Sequence, residues 1–123
     1  MPPLIFVVDD QGPMMIEMAL MSHDIKVQLE PFKDPTLALE ALKSKNPDLI
    51  FLDYKMPEMD GIDFLKYLKS MEVKIPVIMM SSVIPEKLRD YAIKHGAHDY
   101  IHKQDPNFPE LVKTFVHKFA TAV

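Results

Sequence analysis

The chain has 123 residues, 48% of them hydrophobic and 26% charged, which suits one soluble domain with a real core and leaves no room for general disorder. A net charge of −4, with no run of basic residues longer than two, argues against a direct nucleic-acid surface. The absence of Cys rules out disulfides, zinc–thiolate sites and a thiol nucleophile. The five apolar residues before Asp9 are too few for a signal peptide or a membrane span, so a cytoplasmic location is expected.

In chain order, Leu4–Val8 is an unbroken apolar run, read as a strand buried on both faces, and it ends on Asp9-Asp10. Met14, Met15 and Met18 recur on the first helix with Met21 nearby, and most of them are expected to fill the core. Lys26–Phe32 alternates instead, with Val27 and Leu29 against Lys26, Gln28 and Glu30. That pattern means one wet face, and Pro31 fits only an edge strand or a bulge. Asp34-Pro35 supplies an N-cap and a first-turn proline for a helix carrying Leu37, Ala38, Ala41 and Leu42 at helical spacing.

A second apolar run, Leu49–Leu52, leads straight into Asp53. The segment "GIDFLKYLKSM" places Phe64, Leu65 and Leu68 on one helix face. A third run, Ile75–Met80, ends on Ser81-Ser82, and "PEKLRDYAIKHG" predicts a helix from Pro85 to a left-handed cap at Gly96. Asp99–His102 mixes polar and apolar residues, as an opposite edge strand would, and is followed by Lys103. The last helix starts near Pro109 and is expected to bury Leu111, Val112, Phe115, Val116 and Phe119.

Strand and helix thus alternate five times, which predicts an α/β domain with a doubly wound parallel sheet and a site at the carboxyl ends of its strands. Those ends carry Asp9-Asp10, Asp53, Ser81 and Lys103. Carboxylates about 4 Å apart repel by roughly 4 kcal/mol at an effective dielectric near 20. Either some of them protonate or a cation neutralises them. An all-oxygen site suits Mg²⁺, and a carboxylate beside that ion, facing a Ser and a Lys, is equipped to accept a phosphoryl group.

In order along the chain, "VVDD", "LIFLDYKMPEMDG", "PVIMMSS" and "GAHDYIHK" resemble the response-regulator receiver domain, the CheY-like phosphoacceptor of two-component signalling. The resemblance spans essentially all of residues 1–123 as one domain, free-standing or cut from a longer regulator. It implies a flavodoxin-like sheet of strand order 2-1-3-4-5. It further implies phosphorylation at Asp53, with Asp10 binding Mg²⁺ directly, Asp9 chiefly through water, and the Lys55 carbonyl as the remaining protein ligand. Ser81 would hydrogen-bond the phosphoryl group, Lys103 would pair with it, and Tyr100 would swing inward when Ser81 moves. That motion would change the face formed by the fourth helix, fifth strand and fifth helix.

The implied partners are a sensor histidine kinase or a histidine phosphotransfer protein, with an output domain or a homodimer as further possibilities. One or two of the first-helix Met residues would then dock a phosphohistidine-bearing helix. Such a domain catalyses its own phosphorylation and dephosphorylation without being a conventional turnover enzyme.

Two departures stand out: Gln104 follows Lys103 where the family usually has proline, and Lys55 places a cation two residues after the acceptor. Lys55 also argues against a haloacid-dehalogenase-like phosphatase, which generally carries a second Asp at that position. Three glycines in all, with no GxGxxG or GxxxxGK[ST], argue against a nucleotide or flavin module of the usual kind. An unphosphorylated scaffold is the remaining alternative. His95, His98 and His102 are read as exposed polar residues rather than as a metal site.

Overall fold

The structure, a computed structural model, describes residues 2–82 and 86–120. Its elements are β1 (Leu4–Val8), α1 (Met14–Ser22), β2 (Gln28–Phe32), α2 (Pro35–Ala41), β3 (Leu49–Asp53), α3 (Gly61–Ser70), β4 (Val77–Ser81), α4 (Glu86–Lys94), β5 (Asp99–His102) and α5 (Phe108–Phe119). The five strands form one parallel sheet in the order β2-β1-β3-β4-β5. The doubly wound α/β sheet expected from the alternation is therefore present. The three continuous apolar runs occupy its centre, and the two mixed segments are its edges. Pro31 sits on edge strand β2, opposite Val7, where its missing N–H leaves no gap inside the sheet.

Side chains alternate across each strand, so the sheet divides the core in two. Phe6, Val8, Ile50, Leu52, Val77 and Met79 face α2, α3 and α4, where they meet Ala38, Phe64, Leu65, Leu68 and Ala92. Ile5, Val7, Leu49, Phe51, Ile78, Met80 and Ile101 face α1 and α5, meeting Ile16, Ala19, Leu20, Val112, Phe115 and Val116. In α5, Leu111 and Phe119 are only partly buried, at the margin of this second cluster.

Local signals explain the helix ends. The Asp34 carboxylate accepts the Thr36 amide at 2.9 Å, with Pro35 in the first turn. Asp60 and Asp63 form a reciprocal capping box at the start of α3. Beyond α4, Gly96 lies at φ +111°, and the amides of Gly96 and Ala97 return to the carbonyls of Ile93 and Ala92, the pattern of a left-handed helix stop. The proposed start of α4 at Pro85 lies outside the described residues.

The first-helix methionines correct an expectation. Met14, Met18 and Met21 are 67%, 63% and 80% exposed, and Met15 is 41% exposed. None of the four is core filler. The inward face of α1 is set by Ile16, Ala19 and Leu20, while Met14, Met18 and Met21, spaced four and three apart, run along the opposite side. A helix on a sheet buries one side only, and the branched and small residues took it.

Candidate functional site

The register of the sheet builds the site. Val8 pairs with Leu52, so one step further Asp9 and Asp53 stand opposite each other on neighbouring strands about 4.8 Å apart. Asp9 and Asp53 continue the side-chain alternation of Val7 and Phe51, and Lys103 continues that of Ile101. All three therefore point toward the α1/α5 side. The Lys103 amide donates to the Ser81 carbonyl at 2.8 Å and extends the ladder past β5. Its ammonium donates to Asp9 Oδ2 at 2.9 Å and lies 3.1 Å from Asp53 Oδ1. Asp10 completes the group: carboxylate oxygens of Asp9, Asp10 and Asp53 all lie within 4.8 Å of one another.

Burial sets the electrostatics. Asp9 and Asp53 are only 6% and 5% exposed, whereas Asp10 is half-buried. Burial, with the Asp9 charge beside it, pushes the Asp53 carboxyl up from 3.8 to about 6, against the opposing pull of Lys103. For Lys103 the balance runs the other way. Burial would lower its pKa, but the hydrogen bond to Asp9 and the charge of Asp53 hold it above the ordinary value. One ammonium thus serves two carboxylates and leaves an excess of negative charge. Three converging oxygen donors with unbalanced charge fit a hard divalent cation such as Mg²⁺.

Both oxygens of Asp9 are engaged, Oδ1 by the Gln11 amide at 2.9 Å and Oδ2 by Lys103. Asp10 takes no such bond among the described residues. The Lys55 carbonyl likewise accepts no backbone amide among the described residues, and the Lys55 side chain is exposed.

Ser81 and Tyr100 belong to the other side of the sheet. Ser81 follows the alternation of Val77 and Met79, is 1% exposed, and its hydroxyl is hydrogen-bonded with the Tyr100 phenol. Tyr100 is partly buried against the cluster that includes Leu88 and Ala92 of α4, and burial raises the pKa of its hydroxyl. A hydroxyl at the site rim is therefore linked to an aromatic ring packed among α4 residues.

The frame around the site contains contacts that spacing alone did not reveal. Gly61 donates to the Tyr54 carbonyl at 2.7 Å. A Cβ added there would lie 2.8 Å from Met79 Cε and 3.0 Å from the Asp53 carbonyl oxygen, so α3 starts against the end of the strand that carries Asp53. Next to Lys103, Gln104 Nε2 reaches Ser82 Oγ at 3.4 Å and His102 Nε2 lies 3.1 Å from the Ser82 carbonyl. Those side chains tie β4 to β5 where the family usually places proline. The Asp60-x-x-Asp63 spacing was the available signal for the capping box; nothing in the order of residues announced the Ser82 ties.

The three histidines occupy separate places. His95 packs edge-on against Tyr91, His98 against Phe119, and His102 lies at Ser82.

Comparison with known proteins agrees with this geometry. The family described as the response regulator receiver domain matches residues 5–115. The chain is 37% identical over 101 residues to the chemotaxis protein CheY of Bacillus subtilis, covering 80% of this chain and 83% of that one. It is also 46% identical over 68 residues to a protein-glutamate methylesterase/protein-glutamine glutaminase of Treponema denticola, which is 54% of this chain and 18% of that one. A second such enzyme, from Methylobacillus flagellatus, is 34% identical over 104 residues, 80% of this chain and 29% of the enzyme. The chain therefore spans less than a third of these enzymes.

Among solved structures, the receiver domain of Francisella response regulator 1452 superposes with a TM-score of 0.79 at 26% identity, covering 94% of this chain and 97% of that one. The phosphorylated cyanobacterial phytochrome response regulator RcpA gives 0.80 at 25%, covering 97% and 94%. With the same strand order, the acids of β1 and β3 meeting the Lys after β5, and a family match from residue 5 to residue 115, this chain belongs to the response-regulator receiver domains of two-component signalling.

Proposed function

We propose that the chain is a Mg²⁺-dependent phosphoacceptor in which Asp53 takes a phosphoryl group from a phosphohistidine of a sensor kinase or phosphotransfer protein. The observation that carries this reading is the Lys103 ammonium bridging Asp9 and Asp53, with Asp10 in the same notch. Asp10, Asp53 and the Lys55 carbonyl would hold the ion directly, and Asp9, its oxygens already occupied, chiefly through water. When bound, Mg²⁺ supplies charge neutralisation for the carboxylates and for the phosphoryl oxygens.

Asp53 is the nucleophile. Its carboxylate oxygen forms the new bond to phosphorus as the phosphorus–nitrogen bond to the partner's imidazole breaks and returns its electron pair to the ring nitrogen. Because its carboxyl is pushed up to about 6, Asp53 is mostly ionised at neutral pH, and a cation raises that fraction further. Lys103 offsets charge on the transferring oxygens. Ser81 turns its hydroxyl to them.

The acyl phosphate adds a charge of about −1.5 to −2 at the rim. Movement of Ser81 toward it changes the partner of the Tyr100 phenol, and Tyr100 carries the change to the face of α4, β5 and α5. The exposed Met14, Met18 and Met21 lie on the helix that follows Asp9-Asp10. They offer an adaptable apolar surface to a helix bearing phosphohistidine. Lys55, exposed two residues past the acceptor, pairs with the phosphoryl group and crowds the attacking water, so the phosphorylated form is long-lived.

The decisive experiment is incubation with Mg²⁺ and a small phosphodonor, followed by intact mass measurement. A phosphate-sized gain is expected, lost on chelation of Mg²⁺ and lost in Asp53→Asn. A chain that gains nothing from any donor or kinase is a receiver-shaped interaction module instead.

A further inference from the structure

The opposite edge of the sheet holds a second feature. A cavity of about 670 Å³ opens between the carboxyl ends of α3 and α4, next to the first residue of β4. That volume lies within the range of small-ligand sites. Its apolar lining is Leu65, Leu68, Val73, Ile75 and Val77, of which Val73 and Ile75 are the partly exposed members. Its walls carry Lys66, Lys69, Lys74 and Lys94, with Glu72 as the sole lining acid. Among the described residues none of these four lysines is ion-paired.

The ordinary explanation for Lys at a helix carboxyl end is compensation of the helix dipole. It covers part of the charge. Lys69 and Lys94 lie in the last turns of α3 and α4, and each helix end presents about half a negative charge. Four lysines less Glu72 leave three positive charges, and the two helix ends remove about one. An excess of about two remains over an apolar floor, in a chain whose net charge is −4. His95 and His98 also line the cavity. His98 Nδ1 accepts the Val77 amide at 3.4 Å, which anchors that ring beside the floor.

We propose that this cavity binds a small anion of two or three charges carrying a flat apolar body, the chemistry of a nucleoside phosphate. The ring would lie on Val73 and Ile75, with the phosphates among the ammonium groups. There is no glycine-rich loop, so binding rests on point charges at the ends of flexible stems. The cavity lies at the far end of β4 from Ser81 and shares no residue with the phosphoacceptor notch. It is therefore a site separate from the phosphoacceptor notch.

ADP is the probe, titrated into the unphosphorylated chain without divalent cations while backbone amide resonances are followed. Saturable shifts are expected, confined to residues 65–77 and 94–98, with submillimolar affinity that weakens as salt rises. Lys66→Glu/Lys74→Glu, both on exposed side chains, should weaken binding by about tenfold or more. Adenosine and pyrophosphate should each bind more weakly than ADP. The proposal is overturned by an absence of saturable shifts, by shifts centred on Asp9, Asp10 and Asp53, or by unchanged binding in the double variant. Pyrophosphate binding as tightly as ADP would also overturn it, because the apolar floor would then contribute nothing.

Discussion

The two edges of this sheet are built from opposite materials. At the carboxyl edge three acids converge, two of them sharing the Lys103 ammonium, and Gly61 at the start of α3 lies close to the Asp53 carbonyl. At the amino edge four lysines with no ion pair among the described residues surround a cavity whose accessible apolar lining is Val73 and Ile75. The glycines record the same contrast. Gly61 is required for space, since a Cβ there would strike both a side chain and the backbone. Gly96 is required for conformation: its φ is +111°, yet an added Cβ would meet nothing within 4 Å. Tight packing can hold like charges together at one edge because the sheet register leaves them no other position. Loops and helix ends leave the other edge room.

Gly61→Ala tests this difference most severely. It should destabilise the chain by about 2–3 kcal/mol, the cost of overpacking a full site, and lower phosphate gain by displacing the end of β3. Gly96→Ala should cost about 1–2 kcal/mol through backbone strain alone and leave phosphorylation intact. Urea unfolding of both variants checks the ranking, and equal losses would erase the distinction between space and conformation.

The pH dependence comes next. Asp53 binds its proton more tightly folded, at about 6, than at its ordinary 3.8. Its contribution to stability is therefore full below pH 3.8 and is lost as pH rises through 6. Without divalent cations, Asp53→Asn should be more stable than wild type at pH 7 by about 1–2 kcal/mol. That gap should shrink toward pH 4 and on adding Mg²⁺ to the wild type. A gap independent of both pH and Mg²⁺ would mean that the notch carries no charge strain.

A smaller effect is expected at Lys55. Lys55→Ala should release phosphate about two- to fivefold faster, less than 1 kcal/mol in barrier, as followed by the decay of the phosphorylated mass. Equal or slower release would show that the cation neither pairs with the phosphoryl group nor crowds water. Smallest in stability is Met18→Ser, expected to change unfolding by no more than about 0.5 kcal/mol while slowing transfer from a phosphohistidine partner. A large stability loss would place Met18 in the core after all.

Much of the fold was legible because its signals are local. The unbroken runs at Leu4–Val8 and Leu49–Leu52 and the mixed segment before Phe32 separated central strands from an edge. Pro35 and Gly96 marked a helix start and a helix stop. Asp9, Asp53, Ser81 and Lys103 could be found as a set because each directly follows or ends a strand segment, three of them unbroken apolar runs and the last the mixed Asp99–His102, and a parallel sheet brings such positions to one rim. The first-helix methionines were not legible. Helical spacing gave α1 two apolar stripes, and nothing in the residues themselves said which one the sheet would cover.

By its own patterning the sequence determined the alternation of elements, the edges of the sheet and the identity of the residues at its carboxyl rim, since these follow from side-chain periodicity and backbone preference along contiguous stretches. Tertiary structure alone decided that Lys103 donates to Asp9 while bridging to Asp53, that Ser81 meets the Tyr100 phenol, and that Lys66, Lys74 and Lys94 ring one cavity. Those relations join residues from separate elements, and their distances are set by strand register and by which helix face is buried.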